Sequence, residues 1–188
     1  DVIESRGLGD VYKRQATTRL GNISTPMRDR FGAIFRLDFY QKNEIFKILK
    51  RTASILEMNV QDDALTEIAG RSRGTPRIAN RVLKRVRDFA QVKNVKEISV
   101  EDARSSLDSI GIDENGLENM DRKILKNLIV NYNGGPTGGK SLAISINEDI
   151  QTIEDVYEPY LIKEGFIERT SRGRIATDKA YALFDLKK

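Results

Sequence analysis

Neither cysteine nor histidine occurs anywhere in the 188 residues. The first absence excludes a disulfide framework, thiolate metal ligands and a thiol nucleophile. The second removes the commonest zinc ligand and the side chain that carries most acid–base catalysis near neutral pH. Long apolar runs are missing too. No stretch approaches the roughly 20 residues needed to cross a bilayer, and no signal-peptide pattern opens the chain. Secretion and membrane insertion find no support, and a reducing cytoplasm is the expected location.

What is present is charge. Hydrophobic residues make up 39% and charged residues 32%, an ordinary balance for a soluble globular protein, and the length suits one or two domains. A net charge of +4 and a pI near 9.2 lean towards a polyanionic partner. The excess is localised. From residue 117 to the end, 11 Lys/Arg meet 11 Asp/Glu, whereas residues 71–87 hold seven bases and no acid.

That basic stretch begins Arg71-Ser72-Arg73-Gly74-Thr75-Pro76-Arg77. Gly74 and Pro76 mark a tight turn, and Pro76 is suited to open a helix because its missing N–H would go unpaired there anyway. Arg77 then falls in the first helical turn, where the dipole disfavours a cation. It is either a solvated arginine or a ligand for an anion, with phosphate the obvious candidate.

Residues 1–15 show neither helical nor alternating periodicity and read as a mobile tail or foreign sequence; the opening Asp1 suggests a fragment. Residues 33–40 alternate at period two, as a short strand or extended connection does. Four helices follow. The first, over 41–58, carries Ile45, Ile48, Leu49, Ile55 and Leu56 near helical spacing. The second is capped by Asp62-Asp63, with Leu65, Ile68 and Ala69 inward. The third, 76–91, puts Ile78, Val82, Val86 and Phe89 on one face and Arg77, Arg81, Lys84 and Arg85 on the other. The fourth opens with a Ser99-Val100-Glu101-Asp102 capping box and runs through Leu107 and Ile110. Together they make a small all-α bundle.

The acidic, Gly-containing stretch 111–119 breaks the periodicity and marks a domain boundary. A helix over 120–132 buries Ile124, Leu125, Leu128 and Ile129; a short helix lies around 142–146. A third, 152–164, starts at a Thr152 cap, carries Val156, Tyr160 and Leu161, and is bent by Pro159. Residues 166–169 and 174–177 then form two strands around a Thr170-Ser171-Arg172-Gly173 turn. Three helices and a hairpin are the order of a winged helix, whose hairpin is suited to lie against a nucleic-acid backbone.

Three clusters invite a functional reading. Gly134-Gly135-Pro136-Thr137-Gly138-Gly139-Lys140-Ser141 fits the Walker A pattern. A phosphate-binding loop, however, is delivered by a buried strand. The element before this string is an amphipathic helix, and no later apolar run ends in an aspartate for magnesium, so a turn between two helices is expected. The hairpin arginines Arg169, Arg172 and Arg174 suit phosphate contacts; a solvated hairpin tip is the alternative. Arg28-Asp29-Arg30 is either a surface ion pair or a charge presented to a neighbouring subunit's nucleotide.

Specific strings resemble the RuvB family of bacterial Holliday-junction branch-migration motors. They are Ala16-Thr17-Thr18-Arg19, Thr25-Pro26-Met27-Arg28-Asp29-Arg30-Phe31-Gly32, Phe39-Tyr40, residues 73–81 and 85–88, Met120-Asp121-Arg122-Lys123, Gly134-Gly135-Pro136, Glu158-Pro159-Tyr160-Leu161 and Arg172-Gly173-Arg174. The resemblance covers residues 16–188, in order and at the family's spacing. It implies a mainly α fold: the end of an AAA+ large domain (16–40), an AAA+ small helical lid domain (41–110), a linker (111–117) and a DNA-binding winged-helix domain with a short β-hairpin (118–188). Carried over by position, Thr18 resembles the sensor-1 residue, and Arg30 the arginine finger acting in trans within a hexameric ring. Tyr40 resembles the tyrosine at the ATP/ADP pocket, and Arg77 the sensor-2 residue at the phosphates. Arg169 and Arg174 match the wing's DNA-contacting arginines, and Arg172 joins them as a DNA-binding candidate. Arg81, Lys84 and Arg85 take structural or interfacial roles.

The implied activity is ATP-dependent, Mg2+-supported helicase or translocase action on Holliday-junction duplex DNA, with RuvA as partner, in recombination and repair. The departures are specific. The family's own Walker A and Walker B, with the Mg2+ ligands, and its RuvA-docking hairpin are absent from this chain, so the piece alone is expected to be without ATPase activity. Ser171 stands where the family's wing usually has proline, which suggests a looser tip. Two other readings stay open: a non-enzymatic winged-helix DNA-binding regulator with a helical dimerisation domain, and a small P-loop kinase built on residues 134–141.

Overall fold

The computed structural model describes residues 17, 21, 23–35 and 37–187, so the expected tail 1–15 lies outside the described residues. The chain divides into two compact units, Asp1–Asp38 and Phe39–Lys188. In the first, the described residues contain one four-residue helix, α1 (Thr25–Arg28), with Pro26 in its first turn. The described part of 33–40 contains no regular strand, so the alternating pattern there belongs to an extended connection.

The second unit holds two hydrophobic cores with no residue in common. The first core is a four-helix bundle: α2 (Lys42–Ile55), α3 (Asp62–Gly70), α4 (Pro76–Val92) and α5 (Val100–Ser109). On α2, Ile45, Leu49 and Ala53 recur every fourth residue and form one buried stripe. Leu65 and Ile68 of α3 and Val82, Leu83 and Val86 of α4 join it in one core, which Ala103 and Leu107 of α5 complete against α3 and α4. Each such branched side chain, fully buried, contributes about 1.5–3 kcal/mol of transfer free energy. The caps are local. The Gln41 N–H donates to Glu44 Oε2 at 2.8 Å, and Ser99 and Asp102 exchange backbone-to-side-chain bonds as the capping box requires.

Ile55 and Ile110 lie outside this core. Ile55 is 69% exposed, because ten residues after Ile45 the helix has rotated it off the stripe. Ile110 is exposed, being the cap residue beyond the last turn of α5.

The second core belongs to α6 (Asn119–Tyr132), α7 (Gly139–Ile146), α8 (Ile150–Thr152), a π-helical turn (Ile153–Tyr157), α9 (Glu158–Lys163), strands β1 (Ile167–Thr170) and β2 (Gly173–Ala176), and α10 (Asp178–Ala182). The third helix of this half therefore starts earlier than its sequence suggests. Asp149, not Thr152, is the cap, accepting from the N–H groups of Gln151 and Thr152. Pro159 accounts for the π turn: its ring has no N–H and collides with the carbonyl four residues back, so the helix widens just before it. The extra residue per turn carries Val156 away from the Tyr160 and Leu161 face, and Val156 is exposed. Helix α10, capped by Thr177, is an addition to the elements that periodicity predicts.

The hairpin is antiparallel, with Arg169 opposite Arg174 and Thr170 opposite Gly173. A third stretch completes it. Thr137 and Arg174 exchange backbone hydrogen bonds, both at 2.9 Å, and the Ala176 N–H donates to the Gly134 carbonyl at 2.8 Å. The Walker-like string thus leaves α6, bridges to β2 at Thr137 and runs into the first turn of α7.

Candidate nucleotide and nucleic-acid sites

The basic stretch 71–87 separates into two populations. Arg71 and Arg73 are buried. Arg71 donates through Nε and Nη2 to Glu67 Oε1 at 2.9 and 2.7 Å, and through Nη1 to Asp108 Oδ1 and the Ile112 carbonyl, both at 3.1 Å. Burial pushes the Glu67 carboxyl up, but hydrogen bonds from Arg71 and Arg104 outweigh it and hold the group below its ordinary value. Arg73 leaves the bundle. Its Nε donates to the Gly116 carbonyl at 3.0 Å, its Nη2 to Asp121 Oδ2, and its guanidinium lies 4.8 Å from the Tyr160 ring centroid.

Asp121 is wholly buried and does two jobs with one oxygen, since Oδ2 also accepts the Glu118 N–H that caps α6, at 2.7 Å. Burial pushes its carboxyl above the ordinary aspartate value against the pull of Arg73. Burial, reinforced by Glu164, pushes the Tyr160 hydroxyl up to about 12, which keeps it a donor to the Asn115 carbonyl at 2.7 Å. The contacts of Arg73 and Tyr160 join the helical bundle to the winged-helix half.

Arg77, Arg81, Lys84 and Arg85 are exposed. Arg81 approaches Glu118 at 3.6 Å; Arg77 makes no ion pair among the described residues. Thr75 caps α4 with Pro76 at its first position, which sets Arg77 in the first turn, beside free backbone N–H groups and with no acid to neutralise it. Such a corner fits a phosphate. Tyr40 reaches the same turn: its N–H donates to the Gly74 carbonyl at 2.9 Å. Gly74 has φ +65, and an added Cβ would stand 2.6 Å from the Tyr40 carbonyl oxygen, so glycine is what permits this close approach.

Arg30 is exposed in the turn after α1. Thr18 lies outside the described residues.

At the wing, Arg172 sits exposed at the tip. The tip is held by Thr170, whose Oγ1 donates to the Gly173 carbonyl at 2.9 Å and accepts from the Arg172 N–H at 3.3 Å. Arg169 is half-exposed and 3.3 Å from Glu154. Arg174 departs from the expectation that all three arginines are displayed. Its side chain is 7% exposed, with Nε on Glu158 and Nη2 on Glu154, both at 2.6 Å. Burial pulls its pKa down, and the two carboxylates more than reverse that, so it is held charged above its ordinary value. The physical reason is strand parity: Arg174 shares a face with buried Ala176. Glu154 and Glu158 are the partners of Arg174 that the sequence reading does not assign. Their four-residue spacing opposite a hairpin with two arginines on one face is the available signal.

Lys140 of the Walker-like string is exposed, and the Cα of Gly139 lies under the Arg174 guanidinium, where an added Cβ would collide with Nη1. The loop is packed as part of the wing. Among the described residues no cluster of three or more acids is arranged to hold a metal ion, and no helix is long and apolar enough to cross a membrane.

A four-helix bundle leads directly into three helices and a β-hairpin, the order of a winged helix. Comparison with known proteins sharpens it. Residues 40–113 match the RuvB AAA lid domain and residues 114–185 the RuvB C-terminal winged helix domain. The chain belongs to the RuvB family. It is 50% identical over 169 residues to the Holliday junction branch migration complex subunit RuvB of Fusobacterium nucleatum, covering 90% of this chain and 51% of that protein. To the subunit of the same name from Oleidesulfovibrio alaskensis it is 53% identical over 171 residues, covering 91% and 53%. The solved structure of a Thermotoga maritima RuvB point mutant superposes with a TM-score of 0.87 at 46% identity, over 92% of this chain and 57% of that one. The chain spans about half the length of the curated relatives it matches.

Proposed function

We propose that this chain is the lid and winged-helix portion of a cytoplasmic, RuvB-type motor that uses ATP to move Holliday junctions along duplex DNA in recombination and repair. The observation that carries the reading is the order of the two matches, RuvB lid then RuvB winged helix, across residues 40–185. The relatives are named as subunits of a branch migration complex, and RuvA is the partner this reading implies.

On this reading Arg77, uncompensated at the start of α4, binds the nucleotide's phosphates, and Tyr40 lines the same pocket. Arg30 acts on the nucleotide of the next subunit in a hexameric ring, and Thr18 is the sensor-1 residue. Bound ATP supplies the free energy for translocation; none of the described residues is assigned to its Mg2+. Arg172, with Arg169 beside it, contacts DNA phosphates. Arg174 braces the wing from within, in place of the direct contact its position suggested.

Backbone contact without base reading is favoured by the helix a winged helix would insert into a groove. Here that segment, 150–163, carries the acids Glu154 and Asp155 outside the core against a single base, Lys163. A sequence-specific regulator would need the opposite balance.

The test is a graft of this chain in place of the matching half of the Fusobacterium nucleatum relative. The chimera should move a four-way junction with ATP and RuvA. Arg77→Ala should abolish turnover while leaving DNA binding in place, and Arg172→Ala should weaken binding equally for unrelated sequences. A folded, ring-forming chimera that hydrolyses ATP yet leaves junctions unmoved would sink the proposal.

A further inference from the structure

Arg169 and Arg174 face each other directly across the hairpin, an arrangement that by itself destabilises a sheet. One oxygen relieves it: Glu154 Oε1 accepts from Arg174 Nη2 at 2.6 Å and from Arg169 Nη2 at 3.3 Å. We propose that Glu154 is a built-in competing anion, occupying the place of a DNA phosphate at Arg169 and so setting the wing's affinity. This rests on the reading that the wing carries the DNA contacts.

The two arginines are held unequally. Arg174 is enclosed between Glu158, Glu154 and Gly139 and has no open side for a ligand. Arg169 is 54% exposed and its partners stand further off, Glu154 at 3.3 Å and Glu158 at 3.6 Å. An exposed pair of that kind contributes little, so an arriving phosphate draws Arg169 outward. Glu154 does not follow, because Arg174 holds it. Its carboxylate therefore remains beside the bound phosphate and repels it. Glu158 differs: its side chain is 2% exposed and its shorter bond goes to Arg174, so it positions the brace and does not compete.

The experiment uses the full chain with a fluorescein-labelled 20-base-pair duplex, read by anisotropy at salt concentrations from about 25 to about 200 mM, the range over which phosphate contacts are most salt-sensitive. Glu154→Gln keeps an oxygen for Arg174 and removes the charge. It should tighten binding about five-fold at low salt, the size of one unit-charge repulsion near 4 Å in water. The salt slope should steepen by up to about 0.9, as one more phosphate is neutralised. In an Arg169→Ala background the same change should give less than half that gain. Unchanged affinity and slope in Glu154→Gln, or a gain that persists in full without Arg169, overturns the proposal. Glu154→Ala serves as the second variant should the glutamine chain melt below the assay temperature. Arg172→Ala separates the two levels. If it leaves affinity and slope untouched, the wing reading itself has failed; if it weakens binding while Glu154→Gln changes nothing, only the role of Glu154 has.

Discussion

Arg73, in the turn before α4, and Asp121, in the first turn of α6, form a buried ion pair across 48 positions of chain. One residue belongs to the lid, the other to the winged helix, and the pair closes over the ring of Tyr160. A lid bundle and a winged helix with separate cores are thereby joined through charge and backbone carbonyls, with no apolar core residue shared.

Breaking that pair by removing one partner leaves an uncompensated buried charge, which costs about 3–5 kcal/mol. Arg73→Met should therefore lower the urea midpoint and split the transition in two, as each core unfolds alone. Arg73→Met with Asp121→Asn should cost clearly less than the two single losses added together. Additive losses would mean that the residues do not act as a pair.

Arg174→Met should destabilise by a similar amount, about 3–5 kcal/mol, because Glu158 is left buried without its partner. Arg172→Ala, at the exposed tip, should stay within about 0.5 kcal/mol of the parent. Thermal melts of both variants decide it. A stable Arg174→Met chain would put that arginine back among the surface contacts.

The Walker-like string should be inert towards nucleotide. Lys140→Ala is expected to change neither stability nor any ATP binding measured by calorimetry. Gly139→Ala should lower stability by about 1–3 kcal/mol, the range for overpacking, as its methyl meets the Arg174 guanidinium.

Glu67 carries a pH signature. Arg71 and Arg104 hold its carboxyl below the ordinary value, so its contribution is present above the ordinary glutamate range near pH 4 and is lost as pH falls through the depressed value. Glu67→Gln should cost about 1–3 kcal/mol at about pH 7, and the gap to the parent should close below about pH 4. Asp121, raised by burial, has the opposite sign: its contribution is present below the ordinary aspartate range and is lost as pH rises through the raised value. The difference between parent and Glu67→Gln is thus a cleaner readout than either acid curve alone.

Local chemistry was legible from residues alone. The Ser99–Asp102 box, Pro76 at the start of α4 and the hydrophobic stripe of α6 all appear where their spacing placed them. The Walker-like match could be set aside because an amphipathic helix precedes it. What pairs at a distance was not legible. Nothing near Arg73 in the chain names Asp121 as its partner, and Asp121 reads as an ordinary capping acid of α6. Strand parity at Arg174 was ambiguous, since Ile175 on one face and Ala176 on the other are both apolar. The loss of Val156 from the core follows from the π turn, which no periodic template contains. The family strings single out Arg77 and Tyr40, and the Tyr40 N–H bond to the Gly74 carbonyl brings Tyr40 to the turn that precedes Arg77.

The turn 71–77 also has a mechanical consequence. Its near end is pinned in the winged helix by Arg73, and its far end begins α4 at Arg77, with Gly74 against Tyr40 between them. Because the same Asp121 oxygen caps α6 and holds Arg73, the start of α4 cannot be displaced without pulling on the first turn of the winged helix. The segment works as a lever with one arm on each domain and no slack at the fulcrum.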